Sequence, residues 1–164
     1  MTKAPPRLIG LTGTNGAGKG EAAAYFKTKG YAGFSLSDVI REELERRGEP
    51  PSRDNLIRTG NELRERFGPD VLARRTVDKI GPEGRAVIDS IRNLSEVDCL
   101  RRQGGFVLLA VDAPVAERFA RAAARGRDES AADLEAFRKK EDLERRGGAA
   151  AQQIEACMAA ADRL

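Results

Sequence analysis

Gly13, Thr14, Asn15, Gly16, Ala17, Gly18, Lys19 and Gly20 follow an apolar run and precede a helix-forming stretch, the order in which a phosphate-binding loop is built. A polyphosphate needs several inward-turned backbone N–H groups and the partial positive charge of a helix N-terminus, and glycine reaches the φ angles that such a cradle requires. Lys19 then supplies a point charge for the β- and γ-phosphates. The spacing fits G-x-x-x-x-G-K, but Gly20 stands where the general pattern has a magnesium-reaching Ser or Thr, and Glu21 follows it in the first helical turn. The run before the loop, Arg7 to Thr12, predicts a strand buried in a parallel sheet.

The rest of the chain alternates in the same manner. Residues 19–29 predict a helix ending at Gly30, Tyr31–Ser35 a short strand, and Ser37 the N-cap of a helix running to Arg47. A helix over 53–67 would place Leu56, Gly60, Leu63 and Phe67 on one face, and another follows over 70–80. Ala86–Ile88 predicts a strand, Asn93 with Glu96 a capping box for a helix to Gln103, and Phe106–Val111 the most apolar strand. Helices over 114–124, 131–146 and 149–160 complete the pattern, and Ala161–Leu164 reads as the start of a further strand whose remainder an unseen tail would supply. Strands alternating with helices predict parallel pairing, right-handed crossovers and ligands at the carboxyl ends of the strands.

Composition narrows the chemistry. The chain has 164 residues, enough for one α/β domain that buries about 70% of its unfolded surface. It has no His, and its two cysteines lack metal-type or paired spacing, so a His-dependent triad and a zinc site are excluded. Catalysis is left to Lys, Arg, Asp and a bound metal. The 29 basic residues are interspersed with 26 acidic ones for a net charge of +3, which disfavours nucleic acid as a partner, and pairs such as Arg46–Arg47 and Arg101–Arg102 predict solvated helix faces. With no apolar run of 18 residues and no charged-then-apolar leader, the expectation is a soluble, cytoplasmic protein that does not engage a membrane.

Three further segments carry charge at strand ends. The loop together with Ser35-Leu36-Ser37-Asp38-Val39-Ile40-Arg41 resembles the nucleoside monophosphate kinases, adenylate kinase in particular, whose loop also reads G-K-G and whose second strand leads into S-T-G-D-M-L-R. The resemblance implies a three-layer α/β fold with a parallel sheet of about four or five strands. It implies one domain over 1–164, with a helical acceptor-side insert over 53–80 and a lid-like region over 125–146. It also implies ATP and Mg²⁺ as cofactors, with Gly13 to Glu21 holding the donor nucleotide and Ser37, Asp38 and Arg41 on the acceptor side. Val87-Ile88-Asp89-Ser90-Ile91-Arg92 resembles the family's D-G-F-P-R strand end. That likeness gives Asp89 the magnesium, through water, and Arg92 the acceptor phosphate.

Arg118, Arg121, Arg125, Arg127 and Arg138 form a third set, and kinases of this kind carry lid arginines that close over the transferring group. Arg125 and Arg127 are the preferred members, with Arg138 assigned to the acceptor. The implied activity moves the γ-phosphoryl group of ATP to a nucleoside or deoxynucleoside monophosphate, with small nucleotides as the partners and a homodimer left open. Two alternatives remain: a dephospho-coenzyme A kinase-like enzyme, whose family usually has G-K-S or G-K-T and D-A-D, and a nucleotide-binding regulatory module with little turnover. The insert containing Thr59 to Arg64 fits neither kinase family closely and is nearer to kinase-like proteins related to both.

Overall fold

The computed structural model describes residues 4–14, 16–125, 133–145 and 153–164. Its first strand, β1 (Leu8–Gly13), is buried along its whole length and runs into the loop that leads to α1 (Lys19–Thr28). Then come β2 (Ala32–Ser35), α2 (Leu36–Arg47), α3 (Arg53–Phe67), α4 (Val71–Ile80), β3 (Ala86–Asp89), α5 (Leu94–Arg101) and β4 (Phe106–Val111). The helices α6 (Val115–Arg125), α7 (Leu134–Arg145) and α8 (Ile154–Ala159) follow. The four strands lie in the order β2-β3-β1-β4, all parallel, so β1 is central and must be apolar on both faces.

Side-chain alternation along the strands builds two cores and hence three layers. Leu8, Ala86, Ile88 and Leu108 face a large cluster with Leu36, Ile40, Leu63, Leu72, Val97 and Leu100 from the helices α2 to α5. Ile9, Leu11 and Val87 face the other way, onto Tyr31 and α1 residues Ala22, Ala23 and Phe26. Because every strand is parallel, Gly13, Ser35, Asp89 and Val111 end on the same edge of the sheet. That edge is where the charged segments of the sequence meet.

Five helices differ from the sequence expectations. The helix α2 begins at Leu36, with Ser35 rather than Ser37 as its N-cap, because β2 passes into the helix without a loop and Ser35 keeps an extended backbone (φ −131, ψ 133). On α3, Gly60 and Leu63 are buried as the period demands, but the buried stripe swings toward Thr59 and Arg64, leaving Phe67 43% exposed. The guanidinium groups of Arg66 and Arg75 cover its ring at 5.1 and 5.0 Å. Two helices are shorter than expected, α5 ending at Arg101 and α7 beginning at Leu134; α8 spans Ile154–Ala159, and residues 149–152 lie outside the described ones. The final segment makes one parallel bridge, Arg163 to Leu109, through Ala110 N–H donating to the Arg163 carbonyl at 2.8 Å.

The exposed arginines behave as solvated faces. Glu43 accepts hydrogen bonds from both Arg46 and Arg47, which hold its carboxyl at about 2. Cys99 and Cys157 are free and buried, and burial pushes the Cys157 thiol up to about 12. Thr59 is fully buried, and its hydroxyl has no hydrogen-bond partner among the described residues. Thr59→Val keeps the shape and removes the orphan, so it is expected to stabilise the fold by about 1 kcal/mol. In a thermal melt that is a rise of roughly 2–4 °C. A drop in the midpoint would show that the hydroxyl has a partner.

Candidate phosphate-transfer site

The loop between β1 and α1 is held by its own lysine. The Lys19 ammonium donates to the Gly13 carbonyl at 3.1 Å and to the Thr14 carbonyl at 2.8 Å. Gly16 has φ +77, and a Cβ there would come within 2.6 Å of the Arg118 carbonyl oxygen, so both backbone angle and space require glycine. Gly18 is the N-cap of α1, and no side chain caps that helix, which leaves its first amides to other acceptors. Thr14 and Ala17 are buried, whereas Gly20 and Glu21 are exposed in the first turn. Asn15 lies outside the described residues.

The other strand ends lie on the same edge of the sheet as this loop. The Thr14 hydroxyl donates to Asp112 Oδ1 at 3.0 Å just beyond β4, and that oxygen also accepts the Ala113 N–H at 2.9 Å. Thr12, near the end of β1, donates its hydroxyl to the Ile91 carbonyl at 3.1 Å, tying β1 to the turn after β3. Asp89 ends β3 opposite Ser35 in the ladder, and its Oδ1 accepts the Ser90 N–H at 2.6 Å. Ser37 and Asp38 lie in the first turn of α2, where Arg41 donates to both, at 2.9 Å to Ser37 Oγ and 3.1 Å to Asp38 Oδ1.

Arg92 follows on the same loop as Asp89, partly enclosed. Burial lowers its affinity for the proton, while the Asp89 carboxylate opposes that shift. Its backbone is fixed by Glu96, whose Oε2 accepts the Arg92 N–H at 2.8 Å and the Asn93 N–H at 3.1 Å, and the expected capping box of α5 is complete. Glu96 is itself fully buried against Arg64 of α3, with Oε1 3.0 Å from Nη2 and 3.2 Å from Nε. Burial raises the Glu96 carboxyl above its usual range, and the Arg64 charge acts against that rise.

The arginines of the third set separate. Arg118 is buried and engages Glu141 with both terminal nitrogens, Nη2 to Oε1 at 2.9 Å, so it clasps α6 to α7. Arg121, passed over in favour of Arg125 and Arg127 by sequence, donates to the Gly16 carbonyl at 3.1 Å, directly on the loop. Arg138 is exposed on α7. Arg127 and the Arg125 side chain lie outside what the structure describes.

Parallel pairing therefore gathers Lys19, Asp89, Ser37, Asp38 and Arg41 at one edge of the sheet, with Arg92 on the loop after β3. The sequence reading missed Asp112, although a carboxylate directly after an apolar strand is the same signal that marked Asp89. Ser35 and Ser90 carried no such signal. A separate groove of about 840 Å³ between α2, α3 and α4 is lined by Glu42, Glu43, Arg47, Glu62 and Lys79 and holds no loop residue. Its charges pair within and across the helices, Arg47 with Glu43 on α2 and with Glu62 on α3, and Lys79 of α4 with Glu42 of α2.

Comparison with known proteins agrees with this architecture. A family model described as an AAA domain matches residues 9–145. The UPF0200 protein Mbar_A0975 of Methanosarcina barkeri is 34% identical over 142 residues, covering 84% of this chain and 76% of its own length. UPF0200 protein PH1008 of Pyrococcus horikoshii is 36% identical over 129 residues, covering 74% and 69% respectively. Among solved structures, TT1252 from Thermus thermophilus is 25% identical with a TM-score of 0.50, covering 95% of this chain and 96% of that one. Shikimate kinase from Acinetobacter baumannii in complex with shikimate shares the fold at 14% identity, with a TM-score of 0.54 and coverage of 96% and 91%. No helix among the described residues is long and apolar enough to cross a membrane. The chain belongs to the family described as an AAA domain, alongside the archaeal UPF0200 proteins, and it folds as a P-loop kinase-like protein.

Proposed function

We propose that this protein transfers the γ-phosphoryl group of ATP to a nucleoside or deoxynucleoside monophosphate. The observation that carries the reading is the pairing of two charged stations on one sheet edge: the loop with Lys19, and the ends of β2 and β3 with Arg41, Asp89 and Arg92. A guanidinium suits a phosphate better than an ammonium does, because its planar fork donates two parallel hydrogen bonds. Two such groups opposite a phosphate loop fit an acceptor that carries a phosphate of its own.

The residues fit ATP and Mg²⁺. The Lys19 ammonium occupies two loop carbonyls and can exchange them for phosphate oxygens, and the uncapped amides of α1 take the rest. Among the described residues no group of three acidic, His or Cys side chains could hold a metal alone. That suits magnesium, which usually keeps several waters and takes one or two carboxylates plus substrate phosphates, so Asp89 would hold it through water. Bound magnesium neutralises charge on the phosphates. The chain itself positions two anionic partners in line, shields their repulsion with Lys19, Arg41 and Arg92, and needs no covalent intermediate.

The test is ADP release from ATP in the presence of nucleoside and deoxynucleoside monophosphates, with dephospho-coenzyme A as a competitor class. Stimulation by at least one monophosphate, with transfer of label from γ-labelled ATP to it, is the expected result. Stimulation by dephospho-coenzyme A alone would move the activity to the alternative acceptor. Tight nucleotide binding in calorimetry without transfer to any acceptor would make the protein a binding module.

A further inference from the structure

Three serines at the acceptor end of the sheet form a connected set of hydroxyls. Ser35 donates to Ser90 Oγ at 2.9 Å, Ser35 and Ser37 are 2.7 Å apart, and Ser37 and Ser90 are 3.3 Å apart. Arg41 feeds the set by donating to Ser37 Oγ at 2.9 Å.

Two features of this set run against local structural preference. Ser35 is the N-cap of α2, a position where a serine hydroxyl normally accepts a helix amide; here it makes no such bond and is turned to Ser90 instead. The N-caps Ser52 of α3 and Asn93 of α5 do accept their helix amides, from Asn55 and Glu96. Ser90 has φ +65, the one non-glycine residue with positive φ among those described, a conformation that glycine or asparagine takes more cheaply. Backbone strain retained beside a site is a reason to ask what the side chain does there.

Proton counting gives an answer. Each hydroxyl carries one proton. Arg41 polarises Ser37, whose proton reaches Ser35 across the 2.7 Å contact, and the Ser35 proton goes to Ser90. The Ser90 proton then has the longest bond of the set, the 3.3 Å contact back to Ser37, and is the one most readily turned to an incoming anion. Hydrogen bonds in a chain strengthen one another, and a donor backed by a cation prefers an anionic acceptor. We propose that Ser90 is the terminal donor of an Arg41–Ser37–Ser35–Ser90 relay that grips an anionic oxygen of the acceptor's phosphate, with Ser35 as a positioning residue. This assignment rests on the phosphate-bearing acceptor proposed above.

The experiment uses the full chain and three variants. Ser90→Gly removes the hydroxyl and relieves the backbone, so it folds. Ser35→Ala breaks the relay without removing a helix cap, and Ser35→Thr restores the hydroxyl. With the best monophosphate acceptor, Ser90→Gly and Ser35→Ala are expected to raise the acceptor's KM about tenfold, the effect of one hydrogen bond to a charged group. The KM for ATP should stay within about twofold, and Ser35→Thr should recover the acceptor's KM. Unchanged acceptor KM in both loss variants overturns the relay and leaves the kinase reading standing. If no monophosphate supports transfer, that reading fails, and orthophosphate binding followed by ³¹P NMR decides the relay separately. Binding by the natural chain that Ser90→Gly loses would keep it as an anion site; equal binding by both proteins, or by neither, overturns it.

Discussion

Replacing Lys19 with Met is expected to lower acceptor-stimulated ADP release at least about a hundredfold while leaving the protein folded. The size follows from removing one fixed positive group at the charge that develops during transfer, which typically costs a factor of about 10²–10³. Met has a similar unbranched stem, so the space is filled. The substitution also removes the hydrogen bonds of Lys19 to the Gly13 and Thr14 carbonyls, at the edge of a loop that water can reach. About 1 kcal/mol, or a fall of roughly 2–4 °C in melting temperature, is the corresponding effect on stability. Rate and melting curve measured on one preparation separate the two effects. Full activity in the variant would remove the loop from the mechanism.

The largest expected effect on stability comes from Arg64→Met. Glu96 is fully buried; Arg64 meets one carboxylate oxygen and the Arg92 and Asn93 amides meet the other. Removing the guanidinium strands a buried carboxylate, which costs about 3–5 kcal/mol. Against a typical total of about 5–15 kcal/mol, that is a third or more of the fold's margin. The double variant Arg64→Met with Glu96→Met removes both charges and should recover much of the loss.

The pH dependence gives this prediction a second readout. Burial raises the Glu96 carboxyl in the folded chain, so between its unfolded and folded values the folded state binds more protons than the unfolded one. Stability contributed by this group is full below the unfolded value and falls as pH rises through the folded one. Without Arg64 the folded value climbs further. The deficit of Arg64→Met relative to the natural protein should therefore be small near pH 5 and larger near pH 8 in urea titrations. A deficit that does not change with pH would mean that Glu96 is not the group responsible.

The same pair shows what the sequence could and could not reveal. The capping box was legible because Asn93 and Glu96 are three residues apart and the motif is local. That Glu96 also holds Arg64, 32 residues away, leaves no periodic trace. The loop, the alternation of strands and helices and the parallel sheet were legible for the same local reason. Ser35 as a cap was not, because nothing in the residues says that strand and helix join without a loop. Arg118 stands in a set of arginines likened to lid residues; its burial against Glu141, 23 positions on, leaves no local trace. Thr14 and Asp112 meet across 98 positions, and only the order of β1 and β4 in the sheet brings them together.

The loop is tied to α6 as well as to the strand and helix that carry it. Gly16 runs close enough to the Arg118 backbone that a Cβ there would strike its carbonyl oxygen, Arg121 holds the Gly16 carbonyl, and Arg118 is clasped to Glu141 on α7. The first of these is backbone against backbone and has no rotamer to absorb a shift; the other two are side-chain bonds. Under the proposed function, a nucleotide that shifts the loop would also bias the α6–α7 pair, and by thermodynamic reciprocity whatever biases that pair would change nucleotide affinity by the same factor. The helix pair beside the loop therefore offers a handle on it.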